Sequence, residues 1–261
     1  MTTARMRIGT LDVDAVTFDG ALRAIDALVV AGKGGAVFTP NVDHVMLAER
    51  NALLRSAYSR ADLSLADGVP VVLASRLIGP RLPAKVSGSD LMMPLMHLAS
   101  KQQWRVYILG GAEGVGREAA NIFSERHGVN IVGVDDAYIG MTANGDEQNV
   151  VSRIIDARPQ LLLVALGCPK QELFIDRVRE QLGGVVSVGI GASLDFVVGR
   201  VRRAPPWMSR FGLEWLYRFS QEPGRLWRRY FIQDTQFVFV LLRTLITRPQ
   251  SSPPASASSA V

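Results

Sequence analysis

The chain has 261 residues, 48% hydrophobic and 20% charged, which is an ordinary globular mixture long enough for one large domain and an appendage. Its one cysteine, Cys168, excludes a disulfide framework and suits a reducing compartment. No run approaches the ~20 apolar residues of a spanning helix, and the opening "MTTARMRIGTLDVDAV" has no apolar core, so no secretory signal is expected.

Short apolar runs alternate with helix-length segments. "AVFT" (36–39) precedes a segment at 43–59. "DLSLA" (62–66) precedes 70–78 and 89–100, the latter with Ser89 placed to cap it. "RVYIL" (105–109) leads to 114–126, with Gly128 as its stop, and "VNIVGV" (129–134) leads to 146–157. "QLLLVAL" (160–166) leads to 170–182, and "GVVSVGI" (184–190) is the last run. Most runs are continuous rather than alternating, as expected of strands buried on both faces. The pattern predicts an α/β fold, a parallel sheet flanked by helices. No internal repeat is visible.

After residue 198 the character changes. Residues 199–248 hold no strand pattern, and two helical pieces are expected at 206–220 and 224–247, broken at "EPG" (222–224). The end, 249–261, is low-complexity and expected to be disordered. From Gly199 to Pro249 ten arginines face three acids, a surplus of seven. The whole chain carries +5, which leaves −2 for the rest. A near-neutral body with a basic end points to a polyanionic partner or an anionic surface.

Ligands of open parallel sheets sit beyond the carboxyl ends of the strands. The turns there are "PNVDH", "DGVP", "GGAEGVG", "GCPKQE" and "GASLDF", a cluster expected to line a cleft. Asp67 ends a strand, where it is either a tuned general base or a helix cap. "GGAEGVG" (110–116) is either a diphosphate cradle at a helix start or a bare turn. Gln171 and Glu172 are either site residues or an ordinary polar first turn. His44, His97 and His127 have no acidic or cysteine partner at ligand spacing, so no zinc site is read. There is no Asp-x-Asp and no G-x-S-x-G.

The motifs "TPNVDH", "ADGVPVV", "KVSGSDL", "YILGG", "LLVALGCPKQE", "VGIGASLDFVVG" and "RAPPWMSRFGLEWLYRFSQEPGRLWRRY" stand in one order over residues 10 to 232. Together they resemble the WecG/TagA/CpsF glycosyltransferases, glycosyltransferase family 26. The resemblance implies a Rossmann-like catalytic domain (1–198) and transfer of a sugar from a UDP-sugar to a saccharide on polyprenyl diphosphate. The products feed cell-surface polysaccharide or teichoic acid linkage units. It implies an inverting, metal-independent reaction that needs no cofactor. It places the base on Asp67, donor contacts on Thr39, Asn41, Gly110, Gly111, Gln171 and Asp195, and the charge-stabilising arginines on Arg218, Arg225 and Arg228. Lys85 stands where the family carries arginine, keeping the charge but losing the two-pronged grip.

With no metal expected, arginines are the groups that can hold a leaving diphosphate. Arg225 and Arg228, three apart, share a helical face. The appendage is therefore read as a lid that also touches the inner face of the cell membrane, the protein being cytoplasmic and peripheral. Phe237, Val240, Leu241, Thr244 and Leu245 form a helical stripe expected to lie in the interface. The alternative is that this stripe packs on the body or on another subunit. Outside the resemblance, a basic nucleic-acid-binding protein and a nucleotide-binding oxidoreductase stay open.

Overall fold

A computed structural model describes residues 4–137, 139–142, 145–201, 205, 208, 216, 217, 224 and 234–247. The chain opens with an antiparallel hairpin of β1 (Arg5–Ile8) and β2 (Leu11–Asp14). Then come α1 (Phe18–Ala31), β3 (Gly35–Phe38), α2 (Val42–Ala48), α3 (Ala52–Ser59), β4 (Leu63–Ser64) and α4 (Val69–Ile78). The second half runs α5 (Gly88–Lys101), β5 (Arg105–Gly110), α6 (Val115–His127), β6 (Asn130–Asp135), α7 (Gly145–Ala157), β7 (Leu161–Ala165), α8 (Lys170–Leu182), β8 (Val186–Gly189) and α9 (Ser193–Val197). Asp234–Ile246 forms the last described helix, here α10.

Six strands form one parallel sheet in the order β4-β3-β8-β7-β5-β6. Side chains alternate across it. Leu161, Leu163, Val106 and Ile108 join one core with α1, α5 and α6, whereas Leu162, Val164, Tyr107 and Leu109 join the other with α3, α7 and α8. Both faces are covered, which is why the strands read as continuous apolar runs. The expected α/β architecture is the one observed, Rossmann-like in its parallel sheet and flanking helices.

Several details differ from expectation. The segment 43–59 is two helices, because Asn51 accepts the Leu54 amide and starts α3 afresh. The cap of α5 is Ser87, not Ser89, its hydroxyl accepting the Asp90 amide. Gly128 does end α6, in the left-handed region. The hairpin is anchored by buried Asp14, which accepts from Arg5 at 2.9 Å and from the Ser64 amide at 2.8 Å.

The helix α10 lies on the body. Phe237 and Val240 are buried in the α2/α4/hairpin core, and the Gly9 amide donates to Thr244 Oγ1 at 3.0 Å. Gly9 has φ +58, and a Cβ there would stand 2.8 Å from Val240. The stripe expected in the membrane interface thus packs mainly on the protein, because it is the face that the hairpin and α2 offer to cover. The opposite face of α10, with Val238, Phe239, Leu242 and Ile246, is exposed.

Candidate active site

Strand β3 sends its chain to α2 and α3 on one face of the sheet. Its neighbour β8 sends its chain to α9 on the other. Such a reversal leaves a crevice beyond the strand ends. A cleft of about 530 Å³ opens there. It is lined by Thr39, Asn41 and His44 after β3, Asp67 after β4, Gly167, Cys168 and Gln171 after β7, and Ile190 to Ser193 after β8. Gly88 and Ser89 bring the amino end of α5 to its wall, and Gln236 of α10 reaches it while accepting from Arg50 at 2.7 Å. A Cβ on Gly88 would stand 3.2 Å from Ser193 Oγ, so the glycine permits that close approach.

The sequence-predicted residues divide into groups. Thr39, Asn41, Asp67 and Gln171 come together in the cleft. Thr39 is buried, its hydroxyl 3.5 Å from the Gly189 carbonyl. Asn41 caps α2, its Oδ1 accepting the amides of Asp43 (3.0 Å) and His44 (3.3 Å). Asp67 is half-buried, and its amide ties the β4 turn to the β3 turn by donating to the Pro40 carbonyl at 2.9 Å. The cap position of α4 is Gly68, which has no side chain to cap that helix.

Gln171 is an internal brace as well as a wall. Its Oε1 accepts the Gly191 amide at 2.9 Å and its Nε2 donates to Glu172 Oε1 at 2.8 Å. Lys85 is paired with Asp90 at 2.9 Å in the first turn of α5. Asp195 lies on α9 between Ser193 and Phe196; both neighbours line the cleft and Asp195 does not. Gly110 and Gly111 are also outside the lining. Gly110 has φ +87, and a Cβ there would meet the Ala165 carbonyl at 2.9 Å, so what the structure shows of this turn is tight packing against β7. Arg218, Arg225 and Arg228 lie outside the described residues.

The sequence reading missed one group entirely. His44, Cys168 and Glu172 offer ligand-type atoms within 4.8 Å of one another. His44 Nε2 stands 3.4 Å from Glu172 Oε1, which is ion-pair range but not hydrogen-bond geometry. Burial pushes the Glu172 carboxyl up, but the contact and charge of His44 and the Gln171 amide more than offset it, holding it below its ordinary 4.5. Burial, and then the charges of Glu172, Cys168 and Asp67, push the Tyr58 phenol well above its usual range. Only the fold could join these residues, since α2 and the β7 turn are far apart in sequence.

Residues 6–251 match the sequence profile described as the glycosyl transferase WecG/TagA/CpsF family. The chain is 36% identical over 198 residues to a protein of Bacillus spizizenii named N-acetylglucosaminyldiphosphoundecaprenol N-acetyl-beta-D-mannosaminyltransferase. That match covers 76% of this chain and 75% of the relative. A Bacillus subtilis protein of the same name is 34% identical over 197 residues, covering 75% of each chain. A match that spans nearly the whole chain, with a cleft at the sheet's reversal point built from the same motifs, places this protein in the WecG/TagA/CpsF family of glycosyltransferases.

Proposed function

We propose that the chain moves N-acetylmannosamine or a closely related sugar from a UDP-sugar to an N-acetylglucosaminyl diphosphate carried on a polyprenyl lipid. The observation that carries this is Asp67, a carboxylate beyond the carboxyl end of β4 in the lining of the switch-point cleft, which Thr39, Asn41 and Gln171 also line. In this reading Asp67 takes the proton from the acceptor hydroxyl as the sugar carbon is attacked and UDP leaves, so the anomeric centre inverts. The amino end of α5, with Gly88 and Ser89 in the wall, offers backbone donors and a positive dipole end to the diphosphate. Arg218, Arg225 and Arg228 supply the remaining positive charge, which makes a divalent metal unnecessary for this step. Family membership weighs against the nucleic-acid and oxidoreductase readings, which rested on charge and glycine pattern alone.

The acceptor's lipid calls for a membrane surface. No helix among the described residues is long and apolar enough to cross a membrane. The exposed apolar face of α10, in the basic end of the chain, is the surface proposed to lie on it. The test is a donor screen. Purified protein is given a panel of UDP-sugars and a short-chain polyprenyl diphosphate bearing N-acetylglucosamine, and UDP release is measured with and without acceptor. Acceptor-dependent release with UDP-N-acetylmannosamine is expected. No release with any donor, or release indifferent to acceptor, would sink the proposal.

A further inference from the structure

The proposed reaction brings two diphosphates into one cleft, one on the donor and one on the acceptor. Inversion puts the attacking hydroxyl and the leaving UDP on opposite sides of the reacting carbon. The acceptor's diphosphate, one sugar ring behind its hydroxyl, therefore lies at the far end of the cleft from the donor's. Two such anions repel, so each end needs its own positive group. The amino end of α5 serves one of them, and that helix belongs to the core on one face of the sheet through Leu91 and Met92. The other wall is built by α2 and α10, whose Val45, Met46, Phe237 and Val240 join the core on the opposite face.

Arg50 stands on that second wall, just past the end of α2. Among the described residues that line the cleft it is the one arginine or lysine, set against the carboxylates of Asp43 and Asp67. The protein does not consume its charge. The last carbonyls of α2, those of Ala48 and Glu49, accept instead from Arg55 at 2.7 and 3.3 Å. The neighbouring Glu49 carboxylate pairs with Arg243 of α10 at 2.5 Å. Arg50 itself donates from one nitrogen to Gln236 Oε1, a neutral amide, and among the described residues no carboxylate pairs with it. That bond steadies the guanidinium at the edge of the cleft and leaves donors on its other nitrogens, in the fork that suits a phosphate. Gln236 also lines the cleft. Exposed Phe239, three residues on, lies beside it on the surface of α10. The order along this wall is cleft, cation, apolar surface, which matches an anionic head joined to an apolar chain.

We propose that Arg50, steadied by Gln236, holds the diphosphate of the polyprenyl-linked acceptor, with the prenyl chain leaving over Phe239 and the exposed face of α10. This rests on the reaction proposed above and assigns its two anions to separate ends of the cleft, the donor's to the start of α5 and the acceptor's to Arg50. Arg50 is a binding residue, and no bond is made or broken at it. Because Gln236 comes from α10, acceptor binding depends on that helix being seated.

The test reads binding rather than turnover. The full chain is titrated by calorimetry with farnesyl diphosphate bearing N-acetylglucosamine, and separately with UDP. The acceptor probe is expected to bind in the presence of saturating UDP. Arg50→Gln should weaken its binding by at least about tenfold and leave UDP binding unchanged. Gln236→Glu, which gives the guanidinium a carboxylate to pair with, should do the same. Probe binding unchanged in Arg50→Gln overturns the proposal, as does displacement of the probe by UDP. So does equal weakening of both ligands with a lower urea midpoint, which makes Arg50 a brace for α10. Loss of binding to anionic phospholipid vesicles with probe binding intact assigns Arg50 to a lipid headgroup and overturns it too. The two readings fail differently. No UDP release from any donor sinks the transfer reaction, whereas intact transfer with a normal acceptor KM in Arg50→Gln sinks only this assignment.

Discussion

Gln171 separates a structural brace from a substrate contact, and Gln171→Leu tests which it is. The residue is almost fully buried. Leucine has a similar volume, so the change removes polarity and leaves the packing nearly intact. Two hydrogen bonds are lost. The Gly191 amide loses its acceptor, a neutral bond of about 0.5–1.5 kcal/mol, and the Glu172 carboxylate loses a donor, about 1.5–3 kcal/mol. Gly191 is half-buried and water can reach its amide, which favours the lower part of the sum. The expected loss is about 2–4 kcal/mol, with Tm lower by about 2–4 °C for each kcal/mol in a chain of this size. Urea unfolding at constant m measures it. If Gln171 served substrate alone, stability would be unchanged and only KM for the donor would rise. A loss below about 0.5 kcal/mol refutes the brace.

Asp67→Asn keeps shape and removes the base, so turnover should fall by about a hundredfold or more while UDP-sugar binding, read by calorimetry, survives; near-normal turnover rules Asp67 out. Transfer should persist in excess chelator, and alanine at Arg218, Arg225 or Arg228 should each cost about tenfold to a hundredfold in turnover. Loss on chelation with rescue by magnesium would move the charge stabilisation from arginine to metal. Glu172 has a folded pKa below its unfolded one, so its contribution to stability is full above the unfolded value of 4.5 and is lost as pH falls through the folded value. Glu172→Gln should therefore flatten the acid limb of a stability–pH curve; an unchanged slope below pH 4.5 would show that the carboxylate is not held charged.

The sheet was legible because burial on both faces leaves continuous apolar runs, and the cleft was legible because polar turns must follow them. The segment 170–182 was read with the bounds that α8 has, between Pro169 and Gly183. The hairpin escaped notice although its signals are present. Met6, Ile8, Leu11 and Val13 alternate inward around Gly9-Thr10, a two-residue turn with its glycine at positive φ. Helix α1 likewise has its cap in Thr17 and its left-handed stop in Gly32. The stripe on α10 was correctly apolar, but periodicity does not say which of two apolar faces meets the protein. The grouping of His44 with Cys168 and Glu172 depends on two strand-end turns meeting, which no local pattern encodes.

The two faces of α10 give opposite expectations, and that contrast tests the membrane reading. On the inner face Phe237 is buried against the body, and replacing it should cost about 3–5 kcal/mol of stability, as large-to-small core changes do. On the outer face Phe239 is 72% exposed and Ile246 83% exposed. Serine at both should change stability by no more than about 0.5 kcal/mol per site. Neighbouring α4, which packs against α10, carries exposed Leu73 and Leu77 of its own. If this surface rests in a lipid interface, each large side chain gains part of the 1.5–3 kcal/mol of full burial. Phe239→Ser with Ile246→Ser should then remove about 2–3 kcal/mol of membrane binding, more than tenfold in affinity. Co-sedimentation with vesicles containing anionic lipid reads this directly. Salt should weaken the binding of both forms, since the arginine contribution is screened, but only the double variant should lose the salt-resistant part. Natural protein that stays in the supernatant at low salt refutes the interfacial face. A double variant that binds vesicles normally, yet sediments as a smaller species without lipid, assigns the face to contact between copies of the chain instead.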